Sequence, residues 1–242
     1  MKTISVIMPA YTKEDIIAKA LFETEDVLKG FGMPYEIIVV DDGSKDNTRA
    51  NAEKYNSKYV KVVGYKKNTG KGYALKYGFK HVKGDLVAFM DADTDLHSDQ
   101  LQYFLYFMST ENADVVIGSK VHPLSDVKYP PVRRFLSCGY RCFNRVLFNL
   151  DVHDTQVGQK LFKKEVLDDI MDRVLVKRYA FDLELLVNAH HRGYKIVEAP
   201  VKLEYDFSGS SVNLKAIWHI FVDTCAIFYR LRILHYYNGC KK

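Results

Sequence analysis

Asp91, Asp93 and Asp95 stand at alternate positions directly after an uninterrupted apolar run, residues 86–90. Carboxylates in this number cannot enter a core without partners, so they must lie where the apolar segment ends. Oxygen donors clustered in this way suit a hard divalent cation, and such a cation can in turn carry phosphates. The spacing therefore points to a Mg2+ or Mn2+ site that holds a diphosphate. A second pair of acids, Asp41 and Asp42, repeats the event: it follows an apolar run and leads into Gly43-Ser44.

Short apolar runs without alternation are strands buried on both faces, as in a parallel sheet. In open α/β sheets ligands bind beyond the carboxyl ends of the strands, which is where both groups of acids fall. Strand patterns at residues 4–8, 36–40, 60–65, 86–90 and 114–118 alternate with helical patterns, including 46–56 and 98–108. That alternation implies βαβ units and a doubly wound, mostly parallel sheet. Thr12 and Asp15 suit a capping box for the first helix. Beyond residue 120 come a loop, an amphipathic helix over 132–150, a strand ending at Phe162, helices over 163–171 and 181–192, an extended stretch over 196–205, a flexible loop over 206–211 and a long amphipathic helix over 213–237. Plainer readings of the acidic stretch compete. One is a solvated loop that caps the next helix through Ser98 or Asp99. Another is an EF-hand, which fails because Leu96 and Gln102 stand where Gly and Glu are required.

The chain has 242 residues, 48% of them hydrophobic, enough to bury a proper core. Residues 1–212 read as the catalytic domain and 213–242 as an amphipathic membrane-interface helix and tail. No uncharged apolar run approaches the ~20 residues that a spanning helix needs. Cys138, Cys142, Cys225 and Cys240 show no metal-ligand spacing, which fits inert thiols in a reduced compartment. The net charge of +5 is unevenly placed: residues 132–150 hold four arginines and no acid, and residues 213–242 hold five basic residues against Asp223. Both segments are rich in Phe, Leu, Ile and Tyr. Basic and apolar character together point to a membrane surface or a lipid phosphate rather than to nucleic acid.

Four motifs in order resemble the family-2 inverting glycosyltransferases of GT-A fold: Val6-Ile7-Met8-Pro9-Ala10-Tyr11, the run from Val39 to Thr48 around Asp41-Asp42-Gly43-Ser44, Asn68-Thr69-Gly70-Lys71-Gly72, and Asp91-Ala92-Asp93. A narrower likeness, to the dolichyl- and polyprenyl-phosphate mannose or glucose synthases, rests on Gly118-Ser119-Lys120, Arg133-Arg134-x-x-Ser137, Asp154-Thr155-Gln156-x-Gly158-x-Lys160 and the run from Arg178 to Leu186. The resemblance implies an α/β GT-A fold whose Rossmann-like half holds a nucleotide sugar and whose other half holds the acceptor. It implies transfer of a hexose to a polyprenyl phosphate by a peripheral enzyme on the cytoplasmic face of a membrane. GDP-mannose is the favoured donor and UDP-glucose the alternative. A sugar hydroxyl as acceptor, and a non-catalytic nucleotide-sugar-binding module, are the remaining readings.

The expected roles follow from that likeness. Pro9, Ala10, Tyr11, Glu14, Asp41, Lys71, Asp91 and Ala92 would hold the nucleotide sugar, and Asp93 and Asp95 the metal. Asp93, Asp154, Gln156 and Asp182 would serve the transfer. A phosphate monoester is already anionic near pH 7, so it needs cations to place it more than a base to activate it; Lys120, Arg133, Arg134 and Ser137 would do this. Glu184, two residues from Asp182, would diverge from it on a helix and be a surface acid. The faces carrying Phe135, Leu136, Phe143 and Leu147, and Trp218, Phe221, Phe228, Leu231 and Leu234, would meet lipid.

Overall fold

The computed structural model describes residues 2–93, 96–127, 131–203 and 214–238, with the backbone alone for residues 131–136 and 214. Apolar runs free of alternation form the strands β1 (Ile4–Ala10), β2 (Tyr35–Asp41), β3 (Val60–Gly64), β4 (Leu86–Phe89) and β5 (Val115–Ser119). Together with β7 (Lys160–Lys163) and β8 (Ile196–Pro200) they make a seven-stranded sheet in the order β3-β2-β1-β4-β7-β5-β8. The short strands β6 (Asp126–Val127) and β9 (Lys202–Leu203) pair apart from it.

Among the described residues eight α-helices flank the strands: α1 (Ile17–Gly30), α2 (Thr48–Glu53), α3 (Lys71–Phe79), α4 (Leu101–Thr110), α5 (Pro131–Phe148), α6 (Lys164–Ile170), α7 (Phe181–His191) and α8 (Leu214–Phe228). The sheet is covered on both faces. Val6 and Met8 of β1 point into one core with Ile17 and Leu21 of α1 and Phe104 of α4. Ile7 points into the other, with Leu75 of α3 and Leu183 and Leu186 of α7. Burial on both sides is why the inner strands β1, β4 and β5 carry no polar alternation, whereas the edge strand β3 exposes Lys61.

β7 alone runs against its neighbours, with Lys160 paired to Phe89 of β4 and Ile117 of β5. Its reversal brings its first residue, not its last, to the edge where β1, β2 and β4 end. The segment 154–160 therefore reaches the same edge as the acids.

Two local expectations give way. The first helix begins at Ile17 without a side-chain cap. Thr12 adopts φ +51° and donates to the Tyr11 carbonyl, so no capping box forms. The helix expected over 46–56 is only Thr48–Glu53.

Helix α8 packs on the domain. Ile227, Leu231 and Tyr237 join the core, Tyr140 Oη of α5 lies 3.2 Å from Thr224 Oγ1, and Phe143 stacks on Phe221. A π-turn over Tyr229–Ile233 follows α8 and closes with Leu234 N–H donating to the Tyr229 carbonyl at 3.0 Å. No helix among the described residues is long and apolar enough to cross a membrane.

Candidate active site

A cleft of about 440 Å³ opens at the carboxyl edge of the sheet. The ends of β1 and β4 supply Pro9, Ala10 and Tyr11 on one side and Asp91, Ala92 and Asp93 on the other. The helix starts supply Lys71 and Asp182, and connecting segments supply Gln156, Arg178 and Tyr179.

The second acid pair is structural cement for this cleft. Asp41 is buried and accepts Ser44 N–H at 3.1 Å. The Asp42 carboxylate accepts Tyr65 Oη at 2.8 Å, Asn68 Nδ2 at 3.0 Å, Thr69 N–H at 2.8 Å and Gly70 N–H at 2.9 Å. These donors hold the Asn68-Thr69-Gly70 loop to the end of β2. Gly70 sits at φ +110°, with Lys177 O and Arg178 Cγ so close that a Cβ would lie within 2.7 Å of both. Only glycine meets both demands.

Two lysine–carboxylate pairs form the floor. Lys71 Nζ lies 2.5 Å from Asp91 Oδ1. Burial works against its charge, but Asp91, Asp182 and Asp93 outweigh that and raise its pKa. Lys160 has no solvent exposure; its ammonium lies 2.7 Å from Asp182 Oδ1 and donates to the Val157 carbonyl. Burial, seconded by repulsion from Lys71, lowers the Lys160 pKa despite the attraction of Asp182. Gly158 presses against the other side of Asp91, where a Cβ would stand 1.9 Å from Oδ2.

Beyond Gln156 a second cavity of about 440 Å³ lies against α5, lined by Lys120, Ser137, Tyr140, Arg141, His153 and Asp154 among others. Asp154 accepts Lys120 N–H at 3.2 Å and Gln156 N–H at 3.1 Å, and Lys120 Nζ approaches it to 3.4 Å. Gln156 lines both cavities, and its Nε2 is buried with no hydrogen-bond partner among the described residues. A buried amide donor left unpaired in this way costs free energy unless a ligand satisfies it.

Most of the expected residues therefore converge on the two cavities. Glu14 and Asp41 do not line the cleft: the Glu14 carboxylate accepts Asn47 N–H at 2.8 Å and ties the β1–α1 connection to the start of α2, and Asp41 instead fixes the turn at Ser44. Arg133 and Arg134 lie in the first turn of α5, with side chains outside the description, and Asp95 and residues 206–211 fall outside the described residues. Glu184 is the clear correction: it is fully buried and not a surface acid. Leu231 is buried too, and Phe228, Phe143 and Leu147 are half-buried, so none of the four is an open lipid contact. Lys13 and Arg178, which line the cleft, and Lys160, beneath it, carry no site role in the sequence reading, although Arg178 and Lys160 stand in its motifs.

The sheet order, the reversed β7 and the nucleotide-sized cleft at the acid-tipped edge define a GT-A glycosyltransferase. The chain belongs to glycosyl transferase family 2, which matches residues 5–171. It is 33% identical over 241 residues, covering 94% of this chain and 74% of the relative, to a dolichyl-phosphate beta-glucosyltransferase of Trichomonas vaginalis. To the dolichyl-phosphate beta-glucosyltransferase of Dictyostelium discoideum it is 32% identical, covering 82% of this chain and 65% of that one. Among solved structures, glucosyl-3-phosphoglycerate synthase of Mycobacterium tuberculosis with UDP superposes with a TM-score of 0.71 at 20% identity, covering 94% and 79% of the two chains. Mannosyl-3-phosphoglycerate synthase of Rubrobacter xylanophilus does so with a TM-score of 0.72 at 17% identity, covering 95% and 74%. These two likenesses are of fold.

Proposed function

We propose that this protein transfers glucose from UDP-glucose to dolichyl phosphate or a similar polyprenyl phosphate at the cytoplasmic face of a membrane. The observation that carries the reading is Gln156, whose unpaired amide nitrogen stands in the wall shared by the donor cleft and the basic cavity under α5. The curated relatives are named glucosyltransferases, so the preference for GDP-mannose drawn from sequence gives way to its UDP-glucose alternative.

In this reading Pro9, Ala10 and Tyr11 border the nucleoside, and Lys71 and Arg178 face the diphosphate. Asp91 and Asp182 are each committed to a lysine. A divalent cation would be held by Asp93 and Asp95, the latter outside the described residues, together with the diphosphate. Among the described residues no group of three His, Cys, Asp or Glu could hold a metal by itself. Carboxylate and phosphate oxygens suit Mg2+ or Mn2+, which sites of this kind bind through one or two carboxylates and substrate phosphates. When bound, the cation would neutralise charge on the departing nucleoside diphosphate.

Lys120 and Ser137, with Arg141, supply the acceptor pocket, and Arg133 and Arg134 precede Ser137 and Arg141 on α5. A sugar hydroxyl would need a general base to lose its proton, whereas a phosphate would not. The two candidate bases, Asp154 and Asp182, both face lysine ammonium groups, which favours the phosphate. Trp218 (63% exposed), Phe221 and Val222 of α8 and Val146 (83% exposed) of α5 form the open apolar surface proposed to meet the membrane.

The test is transfer from radiolabelled UDP-glucose or GDP-mannose to a polyprenyl phosphate with Mn2+ or Mg2+, read as label extracted into organic solvent. Glucose-labelled lipid is the expected product. Label from GDP-mannose alone would overturn the donor, and no lipid product from either would overturn the acceptor.

A further inference from the structure

Glu184 lies in the first turn of α7, is fully buried and sits outside both cavities. Its carboxylate gathers four donors from two distant parts of the chain. Oε2 accepts Leu175 N–H at 2.8 Å and Val176 N–H at 2.7 Å. Oε1 accepts Arg230 Nη2 at 2.8 Å and Tyr237 Oη at 2.5 Å, and Arg230 Nε donates to Tyr237 Oη at 2.9 Å. A buried carboxylate is tolerable only when satisfied in this way.

The two backbone donors begin the loop that carries Arg178 and Tyr179 into the donor cleft. The same loop is held from its other side by α3, where Tyr73 N–H donates to the Lys177 carbonyl at 3.2 Å, and it abuts Gly70. Arg230 and Tyr237, by contrast, belong to the C-terminal segment whose opposite face carries Trp218 and Val222. The carboxylate thus joins the C-terminal helix to one wall of the nucleotide-sugar cleft.

We propose that Glu184, Arg230 and Tyr237 are positioning residues for the donor. They hold the loop 174–179 so that Arg178 and Tyr179 face the diphosphate and sugar, and they make the C-terminal segment part of the donor site's scaffold. The proposal rests on the glycosyltransfer reading for the identity of the donor but not for the contact itself. Without Arg230 the buried carboxylate loses its ionic partner, and its hold on the Leu175 and Val176 amides loosens as the pocket takes up water.

The test compares full-length wild type with Arg230→Ala, Arg230→Lys and Tyr237→Phe, the last of which keeps the packed ring and removes only the hydroxyl. Hydrogen–deuterium exchange is followed at residues 175–179, and donor and acceptor KM are measured separately. Arg230→Ala should exchange at Leu175 and Val176 at least ~tenfold faster and raise donor KM by about tenfold, the scale of one charge-assisted hydrogen bond. Acceptor KM should not change, and Arg230→Lys should recover most of the loss. A merely structural role would lower kcat through a smaller folded fraction and leave donor KM alone; that result would overturn the proposal. So would unchanged exchange at 175–176 in both Arg230→Ala and Tyr237→Phe. If wild type uses neither UDP-glucose nor GDP-mannose, the functional reading falls, while the exchange measurement still decides the contact.

Discussion

Lys160 reaches Asp182 from beneath the donor cleft, its ammonium 2.7 Å from the carboxylate and wholly shut off from solvent. A buried ion pair adds little net stability, but removing one partner strands the other charge in a poor dielectric. Lys160→Met should therefore cost ~3–5 kcal/mol of folding free energy, measured by urea denaturation. Lys160→Met with Asp182→Asn should recover part of that loss while staying inactive. A single variant as stable as wild type would show that the pair is not held as described.

Gly158 and Asp91 make contact so close that a methyl group cannot enter without moving the carboxylate. Gly158→Ala should draw Asp91 away from Lys71 and lower kcat/KM by about a hundredfold, the scale of an ångström's misplacement at a reacting centre. Thermal unfolding should change far less than activity.

Arg178 faces the cleft, and among the described residues its guanidinium forms no ion pair or hydrogen bond. Arg178→Ala should raise donor KM by roughly 10- to 100-fold, the equivalent of a lost hydrogen bond between charged groups. Nucleotide-sugar titration followed by calorimetry would read this directly, and Arg178→Lys should fall between the two.

Acid sensitivity has a defined source on the far side of the sheet. Burial opposes ionisation of Asp114 and Asp169. Even so, Lys163 and the Lys195 amide hold Asp114 below the usual carboxylate range, and Arg192 and Tyr194 do the same for Asp169. Both groups bind protons more weakly folded than unfolded, so stability rises with pH between the two values. Their contribution is complete above the unfolded value of about 3.9 and is lost as pH falls through the lower folded pKa. Asp114→Asn should lower the urea midpoint at pH 7, and the gap from wild type should close as the solution is acidified through that range.

Trp218 and Val222 offer a separate handle on the membrane. Trp218→Asp with Val222→Asp should reduce flotation with anionic vesicles while leaving UDP-glucose affinity in detergent unchanged. Equal flotation would remove α8 from the membrane surface.

The acid-tipped strands were legible because an unbroken apolar run can end in carboxylates only at a sheet edge, and β2 and β4 behave accordingly. Lys160 was not, because nothing in Lys160-Leu161-Phe162 announces that β7 runs backwards and brings its first residue to the edge that the other strands reach with their last. Glu184 was misjudged for a related reason. Every residue from Phe181 to Ala189 is buried, so α7 has no solvent face in its first two turns, and an acid there had to be read against partners 46 and 53 residues away. Arg178 belongs to a recognisable motif, but its place depends on how closely its loop approaches Gly70, which is a tertiary contact. The capping box failed because Thr48 Oγ1 takes the Lys13 N–H at 2.7 Å, so the chain before α1 is organised by α2.

The π-turn after α8 sets the angular phase of everything that follows it. By widening one turn it lets the consecutive residues Arg230 and Leu231 both face the domain while Tyr229, Arg232 and Ile233 stay outside. Deleting one residue there would restore α geometry and swing the tail by ~100°, carrying Tyr237 away from Glu184. At this point in the chain the number of residues matters more than their identity. A one-residue gap in an alignment across 229–233 would mark a larger change to the donor site than several substitutions nearby.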